Sequence, residues 1–191
     1  MPKLTTEVYL LEINRLCEYA IYSVSEMNKS LKNYELGVID LATFWYYAHS
    51  FLSHSSNISK FLWGGKVNFS KLNKVQKRKA NLYNDFRKKL RKILEINEKA
   101  ALKSRAVRNL FEHFDEHILD LTYVDNSVDY TDMCIGKKEN FDVDQTRIYR
   151  FYDVEEKTIT IYDKVFDVSE ILGEVYQILG KTKNILEQDG M

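Results

Sequence analysis

The chain is poor in the residues that break or staple a fold. It has one proline and seven glycines among 191 residues, so long uninterrupted helices are allowed. Its two cysteines, Cys17 and Cys134, lie far apart with no metal-type spacing. That excludes a disulfide framework and a thiolate metal centre, and it points to free thiols in a reducing compartment, the cytoplasm. No run of about 18 uncharged apolar residues exists, so no membrane span is expected. The first residues, Met1-Pro2-Lys3-Leu4-Thr5-Thr6-Glu7, lack the apolar core of a signal peptide. The phosphate-loop, dinucleotide and nucleophile-elbow patterns are all missing, and Gly64-Gly65-Lys66 is too short to cradle a phosphate. No cofactor and no bound metal are therefore expected.

Net charge is also missing, but only in the sum. Residues 60–108 carry sixteen Lys/Arg against three Asp/Glu, and the rest of the chain carries twelve against twenty-five. The middle is thus about +13 and the remainder about −13, a pattern that clusters cations where a polyanion would bind. A solvated basic helix face, neutralised by the acidic C-terminal region, explains the same counts. An acidic part lying over the basic part as an internal brake is a third way to use them.

What is present is a helical grammar. Hydrophobic residues make up 45% of the chain, enough for one domain over 1–191. Apolar residues recur at helical spacing over 4–31, 36–62, 70–96 and 98–121. Thr5 or Thr6 is a candidate cap for the first helix, and Gly64-Gly65 closes the second. The aromatic cluster from Phe44 to Trp63 reads as core. In the third helix Leu72, Val75, Ala80, Leu82, Tyr83, Phe86, Leu90, Ile93 and Leu94 form an apolar face among lysines and arginines. After residue 122 the pattern changes: Arg147–Val154 and Thr158–Tyr162 alternate as a β-hairpin, and Asp167 or Ser169 caps a last helix over 170–186. The expectation is a mainly α protein, a bundle of four to five helices over 4–121, with a hairpin and final helix over 122–191 as an appendage.

The most regular apolar stripe runs through Val107, Leu110, Phe111, Phe114, Ile118 and Leu121. Projected at about 100° per residue, it leaves Arg105, Asn109, Glu112 and Glu116 facing away from the core. Arg108 and His113 flank that face. Histidine moves protons near neutral pH and arginine forks onto phosphate. RNA brings its own nucleophile, the 2′-OH. The pair therefore has the chemistry to cut RNA without metal, with Arg105, Asn109 and Glu112 as auxiliary groups. Lys88, Arg91 and Lys92 of the basic helix are candidate RNA contacts.

Arg108-Asn109-x-x-x-His113 on a late helix of an all-helical domain resembles the HEPN superfamily. The resemblance covers six residues by motif and 4–121 loosely by architecture. It implies catalytic roles for Arg108 and His113, a polar residue at Asn109, a site completed across a homodimer, and a toxin or phage-defence setting with an antitoxin or other defence protein as partner. Two other functions fit the same residues. One is a non-catalytic HEPN-like module that binds RNA or protein and dimerises. The other is a metal-binding helical bundle, with His113 and His117 at i, i+4 joined by His49 or His54. Separately, His113 also reads as a surface or interface histidine paired with Glu112 or Glu116, His117 as a half-buried, satisfied histidine, and His49 as a core histidine or an RNA-contacting group.

Overall fold

The structure, a computed structural model, describes residues 3–35, 40–65, 67–123, 129–141 and 146–188. Two long helices form its spine: α1 (Lys3–Glu35) and α2 (Leu41–Trp63). Thr5 and Thr6 lie inside α1 rather than capping it. The start of α2 is set by Asp40, whose carboxylate accepts from the Thr43 backbone N–H at 2.9 Å. Leu36 and Ile39, assigned from the sequence to this helix, lie outside the described residues. At its end Gly64 takes φ +72° and its N–H donates to the Lys60 carbonyl at 2.9 Å. A Cβ on Gly64 would come within 2.8 Å of the Arg87 guanidinium, the movable end of a long side chain, so it is the positive φ that asks for glycine there.

The basic helix α3 (Lys74–Ile93) begins at a capping box made by Asn73 and Gln76. Only part of its expected apolar face is used. Leu90 and Leu94 are fully buried, and the ring of Phe86 meets Tyr9 edge-on. Val75 and Leu82, by contrast, are 76% and 67% exposed. The first half of α3 therefore extends past the bundle, with nothing described packed against that side.

The expected helix over 98–121 is three pieces. A short 3₁₀ turn spans Ala101–Lys103, α4 spans Ala106–Glu112 and α5 spans Phe114–Tyr123. Near the first break a residue distant in sequence binds the backbone. The backbone N–H groups of Ala101 and Leu102 donate to the two carboxylate oxygens of Glu174, at 2.7 and 2.9 Å. Ser104 is then extended, and its hydroxyl accepts from the Ala106 N–H at 3.2 Å. The second break is at His113, with φ −121° and ψ 29°. The flanking i→i−4 bonds survive there: His113 N–H donates to Asn109 and His117 N–H donates to His113. The angular projection of the motif thus holds through Glu112 and is disturbed beyond it.

The hairpin forms between β4 (Arg150–Asp153) and β5 (Thr158–Ile161), joined where the Asp153 carboxylate accepts from the Glu155 and Glu156 N–H groups. It belongs to a larger sheet. β2 (Cys134–Gly136) adds in parallel to β4, and β6 (Lys164–Asp167) adds antiparallel to β5. A separate parallel pair joins β1 (Asp129–Thr131) to β3 (Thr146–Ile148). Three-residue strands leave too little alternation to read in sequence.

α6 (Val168–Gln188) starts on Asp167, whose carboxylate accepts from the Glu170 N–H at 2.8 Å. It lies along α1. Thr182, fully buried, donates to Asn14 Oδ1 at 3.2 Å, and Lys183 pairs with Glu18 at 3.0 Å. Ile171, Val175, Ile178 and Leu186 join one buried cluster with Ile13, Trp45, Leu90, Val107 and Ile159. The helices and the larger sheet share that core. The change of grammar near residue 122 is a change of local structure and not an edge of the core.

Candidate active site

α4 is held by Val107 and Leu110, both buried. Val107 faces Ser55 and Ser56 of α2 across a small cavity. Arg105, exposed, precedes the helix, and its carbonyl accepts from the Asn109 N–H at 3.0 Å. Asn109 is exposed on the first turn. Arg108 lies in α4 between buried Val107 and exposed Asn109, and Glu112 ends the helix. The side chains of Arg108 and Glu112, like those of Phe111, Phe114 and Leu121 in the stripe, lie outside the described residues.

His113 sits at the junction of α4 and α5 with its side chain 52% exposed, and its Nδ1 lies 3.1 Å from Glu116 Oε2. A carboxylate on one ring nitrogen fixes the ring and leaves Nε2 for a substrate. Leu119 and Tyr123, further along α5, are also exposed.

The four histidines face different surroundings. His117 is half-buried and stacks on Tyr162, ring centres 4.6 Å apart. His54 packs against Tyr19, and burial lowers its pKa. His49 is also buried against charge: desolvation first, then the nearby Arg150, push it down to about 4, with Asp132 opposing. Among the described residues no group of three or more His, Cys, Asp or Glu is placed to hold a metal, so the metal-bundle reading gains no support.

The basic residues divide. Lys88 and Lys92 are exposed on α3. Arg91 is not a free cation. Its side chain is only 13% exposed, Nη1 donates to the Leu62 carbonyl at 2.6 Å, Nε faces Glu98 at 3.3 Å, and the guanidinium lies 5.7 Å from the Trp63 ring centre. It ties the C-terminal end of α2 to α3. α3 and α4 are nonetheless both laid along α2, one at its end and one at its middle.

A polar cluster escaped sequence reasoning. Arg150 Nε donates to Asp132 Oδ1 at 2.8 Å, and its Nη2 also bonds this carboxylate. Tyr130 is beside them, its pKa raised by burial and by Asp132. His49 approaches from α2. These residues span more than a hundred positions with no motif, so only folding brings them together.

Compared with family models, with curated proteins and with solved structures, the chain matches none.

Proposed function

We propose that the chain is a HEPN-type, metal-independent endoribonuclease that works as a homodimer in a toxin or phage-defence setting. The observation that carries this reading is His113, exposed at a helix junction with Nδ1 against Glu116. In the proposed reaction a 2′-OH of RNA attacks the adjacent phosphorus, and His113 Nε2 takes its proton. Arg108 stabilises the charge of the pentavalent phosphorane. The bond to the 5′ oxygen breaks, and that oxygen takes a proton from the protonated histidine of a second copy. The products are a 2′,3′-cyclic phosphate and a 5′-OH. DNA lacks the nucleophile and is not cut. The exposed Leu119 and Tyr123 beside Glu116 offer apolar area for the second copy. A partner protein of antitoxin type belongs to the same proposal.

The test is cleavage of single-stranded RNA at low salt in the presence of EDTA. His113→Ala and Arg108→Ala should each lower the rate by about 10²-fold or more, while the fold persists. Absence of cleavage by the natural chain overturns the catalytic reading. A second reading, a non-catalytic HEPN-like dimerisation and RNA- or protein-binding module, is favoured by one feature: His113 lies at a break and not within a continuous helix. RNA binding without cleavage would support it.

A further inference from the structure

A groove of about 340 Å³ runs between the C-terminal end of α2 and the polar side of α3, away from the His113 junction. Its walls are chemically mixed. Trp63 supplies an aromatic surface, Arg87 and Lys88 supply positive charge, and Asn84 and Asp85 supply amide and carboxylate groups. Arg91 also lines the groove, with its guanidinium 5.7 Å from the indole ring centre. Trp63 Nε1 and Arg87 Nε are buried donors that meet no acceptor among the described residues. An unsatisfied buried donor is costly.

We infer that this groove seats one nucleotide of single-stranded RNA, stacked on Trp63. The inference rests on the RNA reading above and says where the strand is held. The volume lies at the small end of ligand sites. Each wall matches one part of a ribonucleotide. The indole takes the base face, which is sequence-tolerant because every base has one. Lys88 and Arg87 take the phosphate. Asp85 repels phosphate, so the sugar and not the phosphate lies beside it, where its carboxylate accepts a hydrogen bond from the 2′-OH. On an α-helix Asp85 points about 160° from Arg87 and about 60° from Lys88, so the phosphate lies on the Arg87 side of Lys88 and the sugar on the Asp85 side. Asn84 presents a donor and an acceptor to a base edge. Lys92 lies one turn beyond Lys88 on the same exposed side, where the next phosphate would pass. An acidic protein segment would use the cations but leave the indole, the amide and Asp85 without a role.

The experiment uses the whole chain and an oligoadenylate of about ten nucleotides, with the DNA of the same sequence beside it. Trp45 is 1% exposed, so a change in tryptophan emission on binding reports Trp63. RNA should quench that emission and bind more tightly than DNA. Lys88→Gln, at an exposed position, should weaken RNA binding and flatten its salt dependence by about one phosphate contact. Asp85→Asn should shrink the preference for RNA over DNA. Trp63→Leu should cost about tenfold or more in affinity. Trp63→Phe, which keeps an aromatic ring under Arg91, should restore most of that loss, separating stacking from folding. Binding of RNA without quenching, and unchanged in Lys88→Gln, overturns the groove while leaving the ribonuclease reading intact. Equal affinity for RNA and DNA in the natural chain overturns the role of Asp85. No RNA binding at low salt removes both this site and the reading it rests on.

Discussion

Glu174 is the residue that connects the final helix to the placement of the motif. Its two carboxylate oxygens accept from Ala101 and Leu102 at 2.7 and 2.9 Å, and Leu102 is buried. A hydrogen bond to a charged acceptor contributes about 1.5–3 kcal/mol. Glu174 is partly exposed, which puts each bond at the low end. Glu174→Ala should therefore cost about 2–3 kcal/mol, and Glu174→Gln, with one acceptor oxygen, roughly half of that. For a chain of this size 1 kcal/mol moves the melting temperature by about 2–4 °C, so the alanine variant should melt about 5–10 °C lower. Urea unfolding followed by circular dichroism measures the free energy, and a thermal scan measures the shift. Because the turn sets where α4 begins, any RNA cleavage should fall in the same order, with alanine below glutamine. An alanine variant within about 0.5 kcal/mol of the natural chain would refute the claim that this carboxylate anchors the turn.

The pH dependence follows from His49. Its folded pKa, about 4, is below the ordinary 6.5, so the folded state prefers it neutral. The stability it contributes is full above pH 6.5 and is lost as pH falls from there towards 4, by about 3 kcal/mol; His54 shifts in the same direction. Urea titrations across that window should show the loss in the natural chain and a smaller loss in His49→Gln. Leu90→Ala should cost about 2–5 kcal/mol through a core cavity, whereas Leu82→Ala, on the exposed side of α3, should stay within about 0.5 kcal/mol. Equal effects in chemical denaturation would show that α3 is packed along its whole length. The buried Cys17 thiol is pushed up to about 12, while Cys134 is only partly covered. Alkylation followed by mass spectrometry should label Cys134 in the native chain and reach Cys17 only in denaturant.

Much of the architecture was legible from local pattern. Period-3.6 spacing marks α1, α2 and α6 because each buries one stripe over many turns; α3 carries the same spacing, but only its C-terminal part is buried. The β4–β5 hairpin is legible because alternation persists on both sides of a charged turn. Asp167 is a readable cap because a side-chain oxygen just before a helix has one local use. The exposure of Arg105 and Asn109 also follows from the stripe, since a face opposite Val107 and Leu110 is a face without core; His113 flanks that face and sits at a break the stripe does not show.

The remainder depends on partners distant in sequence. The stripe over 98–121 predicts one helix, but the chain there is three pieces, and Glu174, more than seventy positions away, holds two N–H groups of the first. Val75 and Leu90 belong to the same stripe of α3. Packing against the rest of the core decides that Leu90 is covered and Val75 is not. Arg91 and Lys88 are equivalent as letters in a basic run; the Leu62 carbonyl and the Trp63 ring separate them. His49 carries no sign of Arg150 until the sheet folds against α2. The sequence by itself determined which segments are helical and which residues carry charge. The tertiary structure decided which charges are free, because burial and hydrogen-bond partners are set by neighbours in space and not by neighbours along the chain.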